Sequence, residues 1–137
     1  MDSSKQIAHL GFIQGVINRL GSNSFLLKGW SITLVAACFA LATKDAEKKF
    51  LLLAYFPVFM FWVLDGYFLY QERLYRKLYE GVASGEIPSS LFVMSTGGVV
   101  NQTPSLLAAL YSRTLLIFHG CIVLLVSVAV YLYLVRS

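Results

Sequence analysis

Apolar residues along this chain gather into three blocks. The first, 24–43, reads SFLLKGWSITLVAACFALAT; the second, 50–70, reads FLLLAYFPVFMFWVLDGYFLY; the third, 115–135, reads LLIFHGCIVLLVSVAVYLYLV. Blocks of about 20 residues match the roughly 30 Å hydrocarbon core of a bilayer. The pattern therefore predicts an all-α membrane protein with three transmembrane helices. In the first block the uncharged run begins only at Gly29. Fifteen residues would reach about 22 Å at the helical rise, so Leu26 and Leu27 belong to the span. Lys28 is then drawn into the membrane edge, where its stem can snorkel. In the second block Pro57 removes one helix hydrogen bond and predicts a kink. The third block holds no Asp, Glu, Lys or Arg and closes on YLYLVR, an aromatic belt with a terminal anchor.

The polar stretches have patterns of their own. In residues 1–23, Ile7, Leu10, Ile13, Ile17 and Leu20 recur at helical spacing and predict an amphipathic helix. Ser3 with Gln6 resembles a capping box. Two readings fit its apolar stripe: a helix lying on the inner membrane face, or one packed against a neighbouring subunit. GSNS at 21–24 predicts a break before the first span. Beyond Tyr70, the stripe Leu74, Leu78, Val82 extends the second helix over 50–80, with Arg76 and Glu80 as an i, i+4 pair. Residues 81–102 form an insertion in which LFVM and VV read either as two short strands joined at TGG or as an ordered loop. Gly81 and Gly85 are the expected helix breakers. Thr103 as N-cap and Pro104 at N1 then open a lead-in that runs over 103–136 into the third span. Both extensions are expected to project about 15 Å, with Leu74 and Leu78 packed on Leu107 and Leu110.

Composition supports this picture. Hydrophobic residues make up 58% of the 137 positions, above the usual soluble range of about 45–50%. Mean hydropathy is +0.70. More than twenty polar or amphipathic residues precede the first apolar run, and no cleavage pattern follows it, so no secretory signal is expected. Lys5, Arg19, Lys28, Arg73, Arg76, Lys77 and Arg113 flank the spans on one side, against Lys44, Lys48, Lys49 and Arg136 on the other. Seven against four predicts a cytoplasmic N-terminus and an outer C-terminus in the bacterial inner membrane.

The chemistry on offer is sparse. Cys38 and Cys121 lie in apolar segments with no CxxC or Cys/His cluster; they read as buried, inert thiols, and no metal or cofactor is expected. His9 and His119 have no Ser, Asp or Cys partner at informative spacing, and no HExxH is present, so no catalytic residue is predicted and the chain does not read as an enzyme. His119 reads as a polar helix-packing group.

Asp65 is the one carboxylate within an apolar block. Five residues of helix place it about 7–8 Å from Tyr70, level with Lys28 and His119. Two readings remain open. One is a structural Lys28–Asp65 ion pair at the inner membrane edge. The other is Asp65 with Glu72, seven residues on and on nearly the same face, as an ion pathway in an oligomer. A channel would need assembly around an axis, with bulky Phe59 or Leu124 as its hydrophobic gate. Arg73, Arg76 and Lys77, interleaved with Tyr70, Tyr75 and Tyr79, read either as a headgroup-contacting face or, with Arg19, as a surface for an anionic ligand.

The stretch HLGFIQGVINRLGSNSFLLKGWSITLVAA (9–37), together with three spans and an insertion between the second and third, resembles the membrane effectors of the Hailong anti-phage defence system. The resemblance covers most of the chain and rests on no catalytic signature. It implies a homo-oligomeric, tetrameric ion channel. A partner nucleotidyltransferase would make single-stranded DNA oligomers that keep it closed, and their loss on infection would open it. That family's ligand residues do not map one by one onto this chain. A non-conducting membrane anchor that docks a cytoplasmic partner is the rival reading.

Overall fold

A computed structural model describes residues 3–45 and 48–136; Met1, Asp2, Ala46, Glu47 and Ser137 lie outside it, as do the side chains of Lys44, Asp45 and Lys48. The basic flank expected at Lys44 and Lys48 therefore falls outside the described side chains. All regular structure among the described residues is helical. α1 spans Ser3–Asp45, α2 Lys48–Leu53, α3 Tyr55–Ala83, α4 Leu106–Leu110 and α5 Arg113–Arg136, with a 3-10 helix at Gly97–Gln102. Three stretches are long and apolar enough to cross a membrane: Ser3–Thr43, Lys49–Ala83 and Arg113–Arg136.

The expected break at GSNS does not occur. α1 runs unbroken for 43 residues, roughly 65 Å by helical rise. Gly, Ser and Asn are poor helix formers but only weakly so, and tertiary packing overrides such preferences. Here the packing comes from α3, which accompanies α1 along both halves. In the lower half Ile13 and Ile17 are buried against Leu74, Leu78, Val82 and Val99. The apolar stripe of residues 3–20 is thus covered by the chain's own second helix, which replaces both sequence readings of its partner. Ile7 points away and stays exposed. Instead of closing a capping box with Ser3, Gln6 Nε2 donates to the Val82 carbonyl at 2.9 Å, tying the start of α1 to the end of α3.

Pro57 acts as expected but displaced by one turn. It has no N–H for the Leu53 carbonyl, and its ring crowds that carbonyl. The chain turns at Ala54, where Ala54 N–H reaches Leu51 O at 3.2 Å and Val58 N–H reaches Ala54 O at 3.4 Å. α2 and α3 are therefore one span with a joint. Ala54 and Val58 at this joint pack with Val35 of α1 and Val126 of α5 into a second core.

α3 continues past Gly81 and stops at Ser84. Gly85 takes φ +86°, a left-handed conformation open to glycine, and its N–H caps Val82 O at 3.1 Å. No strand forms in the insertion among the described residues. The loop is instead held by His9, discussed below, and VV falls within the 3-10 helix.

The lead-in to α5 differs most from expectation. Thr103 closes the 3-10 helix, and Ser105 caps α4, its hydroxyl accepting from Ala108 N–H at 3.2 Å. α4 ends at Tyr111, and Ser112 O accepts the Leu116 N–H at 2.9 Å to open α5. α4 does not extend α5 as a parallel lead-in beside Leu74 and Leu78. Leu110 packs on Gly66, where a Cβ would come within 2.9 Å of the Leu110 Cγ. Its carbonyl accepts from Trp62 Nε1 at 2.9 Å. α4 thus re-enters alongside the second span, and the chain doubles back at 111–112. Non-spanning backbone at such depth is tolerated where protein covers and satisfies it.

Candidate functional site

Ser24 and Lys28 stand one turn apart on α1, Asp65 on α3 and His119 on α5; the three spans meet there. Lys28 Nζ lies 2.6 Å from Asp65 Oδ2 and donates to Ser24 Oγ at 2.8 Å. His119 Nε2 donates to the same Oδ2 at 2.8 Å. Ser24 Oγ donates to Oδ1. The depth match between Lys28, Asp65 and His119 is thus realised as direct contact. Asp65 and His119 are fully buried, and the Lys28 side chain is 19% exposed. Removing a charge from water is costly unless it is paired and hydrogen-bonded, and here one carboxylate accepts from three donors.

Aromatic rings enclose the cluster. Trp62 stacks on His119 at 6.0 Å and 5°, and Phe118 meets it edge-on at 5.0 Å. Lys28 Nζ sits 5.8 Å over the Phe118 ring. His119 Nδ1 has no partner among the described residues, which fits the tautomer that carries its hydrogen on Nε2. Through the Trp62 indole, the cluster is joined to the Leu110 carbonyl and so to α4.

Beside the cluster lies a cavity of about 210 Å³, lined in part by Gly21, Ser24, Lys28, Glu72 and Thr114. Glu72 is half-buried and leans toward Gly21, whose Cβ would lie 3.8 Å from Oε1. Asp65 and Glu72 thus approach one region through Ser24 and Lys28, although Asp65 itself is sealed. Arg76 pairs with Glu72 at 3.2 Å and Lys77 with Glu80 at 3.3 Å, replacing the expected Arg76–Glu80 pair. An acidic residue N-terminal to its basic partner at i, i+4 is the better orientation on a helix.

The other sequence-nominated residues are spread out. Arg19 is exposed on α1, Arg73 is half-buried, and Arg76 and Lys77 are engaged along α3. Tyr70, Tyr75 and Tyr79 are partly buried against the lower core, packing groups more than a free stacking surface. Phe59 and Leu124 are both exposed on the outside of the helix bundle. Cys38 is partly covered, but Cys121 is exposed, so the reading of two buried thiols holds for neither in full.

The sequence gives His9 no informative partner, yet it is fully buried. Its Nδ1 meets Ser89 Oγ at 3.1 Å and its Nε2 meets the Val93 carbonyl at 2.6 Å, with Phe92 edge-on at 5.9 Å. The signal was available in the spacing: His9, Ile13 and Ile17 share one face of α1. Comparison with protein families, with characterised proteins and with solved structures gives no match.

Proposed function

We propose that this chain is the subunit of an oligomeric ion channel in the bacterial inner membrane, an effector of anti-phage defence held closed by an anionic ligand bound from the cytoplasm. The resemblance over 9–37 names that ligand as a single-stranded DNA oligomer made by a partner nucleotidyltransferase, and the assembly as a tetramer. The observation that carries the reading is the cavity beside the Ser24–Lys28–Asp65–His119 cluster, where Ser24, Lys28, Glu72 and Thr114 share the wall with Leu20, Phe68, Leu69 and Leu115. Ionisable groups within a span are expensive; they face the bundle interior or a water-filled cavity, pair with one another, and mark ion paths. Three spans enclose no conventional pore alone, so conduction requires several copies around an axis. In this reading Glu72 draws cations, Asp65 fixes the helices that carry the path, and Phe59 or Leu124 closes it by dewetting. The ligand binds the closed state more tightly, since only differential affinity moves a gate.

Purified protein in planar bilayers tests this. The expected result is a conductance that falls when a single-stranded DNA oligomer is added to the N-terminal side and whose cation preference drops in Glu72→Gln. Well-folded protein that passes no current with or without oligomer overturns it. The complete sealing of Asp65 favours a second reading, a non-conducting anchor in which the cluster only clamps three spans together and the head docks a partner. The same recording separates the two.

A further inference from the structure

Lys28 Nζ lies 2.6 Å from Asp65 Oδ2 and 2.8 Å from Ser24 Oγ, with the face of the Phe118 ring 5.8 Å away. A carboxylate oxygen, a hydroxyl oxygen and an aromatic face are groups that hold small monovalent cations. Ser24 and Lys28 also line the cavity of about 210 Å³, and both touch Asp65, which is fully buried and forms no part of the cavity wall. That cavity has room for several water molecules. A second carboxylate, Glu72, stands on the same wall and pairs with Arg76 at 3.2 Å. Lys28 thus stands between a sealed carboxylate that it neutralises and a cavity that carries another.

We infer that Asp65 Oδ2, Ser24 Oγ and the Phe118 ring form a site for a small monovalent cation, ammonium or potassium, which the chain fills with its own Lys28. A charge on a flexible stem is a tethered ligand, present at high effective concentration, so free cations do not displace it. Without the ammonium, Asp65 keeps the Ser24 and His119 donors but no counter-charge. His119 is poorly placed to supply one: its Nε2 hydrogen is already given, and Nδ1 has no acceptor among the described residues for a second. A buried carboxylate without a counter-charge takes up a proton or a cation. The hydroxyl, the ring and the adjoining cavity favour the cation. For the ion path proposed above, on which this consequence alone rests, Lys28 bars Asp65 to passing cations and leaves Glu72 to meet them.

Lys28→Met keeps a stem of similar length and removes the ammonium. The full chain carrying it is purified in detergent, and its thermal midpoint is followed by circular dichroism as ammonium or potassium chloride is added. The expected result is a saturable rise that the wild type lacks. Tetramethylammonium at the same ionic strength has the charge but no N–H, and should act about tenfold or more weakly. Adding Asp65→Asn to Lys28→Met should abolish the rise. Lys28→Ala removes the stem as well; there propylammonium should raise the midpoint, and propanol, the stem without the charge, should not. A rise that every salt gives alike, one that survives Asp65→Asn, or none in either variant overturns the inference. So does failure of both variants to fold even when extracted in their cations. The readout needs no conduction, so protein that binds ammonium yet passes no current keeps the site and overturns only the ion path. In planar bilayers Lys28→Met should carry more cation current than the wild type; equal current would overturn the block and leave the site.

Discussion

Asp65 is the residue on which the three spans converge, and its partners define what each substitution does. Asp65→Ala leaves Lys28 and His119 facing an emptied pocket. Removing one member of a buried pair costs about 3–5 kcal/mol, expected as lost unfolding free energy in detergent. Asp65→Asn keeps one carbonyl oxygen to accept from His119, and its amide can donate to the Ser24 hydroxyl, so it should cost less. Lys28→Met added to Asp65→Asn should cost less than its single-variant effect, because the ammonium no longer has a carboxylate to lose. A double-mutant cycle with a coupling of about 0.5–3 kcal/mol is expected, and strict additivity would contradict the pair. His9 holds the insertion in the same way nearer the start of α1. His9→Ala removes its contacts to Ser89 and the Val93 carbonyl, at about 1–3 kcal/mol for the acceptor left without a partner. Amide exchange at Phe92–Met94 should then accelerate while that of the spans stays slow; equal acceleration everywhere would show global destabilisation.

At the scale of elements, α4 is the part whose position depends on one missing side chain. A Cβ on Gly66 would come within 2.9 Å of the Leu110 Cγ, so in Gly66→Ala the Leu110 side chain must shift, and α4 is expected to move with it. Overpacking of this kind costs about 1–3 kcal/mol. In a Trp30→Phe background, which leaves Trp62 as the chain's one tryptophan, its emission should shift as its bond to the Leu110 carbonyl lengthens, and Leu110→Ala in the same chain should restore both stability and emission. A Gly66→Ala variant with unchanged emission would show that α4 is held elsewhere. This contact also explains what reading the chain reaches and what it misses. The spans are visible because composition and length are local properties, and the shared depth of Lys28, Asp65 and His119 follows from helical rise alone. The stripe of Ile13 and Ile17 is visible too, but its partner is not, since Leu74 and Leu78 lie far away in sequence and a membrane surface would accept the same stripe. The unbroken α1 is hidden because Gly21, Ser22 and Asn23 signal a break in isolation, whereas α3 supports both sides of it. The re-entry of α4 is hidden most deeply: LLAAL is too short to show a period, and Gly66 gains meaning only when Leu110 lies on it.

For the whole molecule, the proposed assembly turns on which surface would face another copy. α5 touches α3 through Leu115, His119 and Val126, all buried. Cys121 and Leu124, three residues apart, share a face turned away from that contact, and both are exposed. A gate at Leu124 therefore requires α5 to line the common axis, which would bring Cys121 of one copy toward Cys121 of another. Disulfide formation demands Cα atoms within about 7 Å, and a short bis-maleimide bridges a longer gap, so crosslinking reads that geometry directly. In a Cys38→Ser background, oxidation or a short bis-maleimide should trap dimers through Cys121 in membranes. Leu124→Ser in the same assembly should then raise basal conductance, because a polar ring at a dewetted constriction admits water. If α5 instead faces lipid, no dimer forms, Leu124→Ser loses only stability, and the gate must be sought at Phe59 on α3. If dimers form and Leu124→Ser leaves conductance unchanged, α5 lines the contact between copies without closing it.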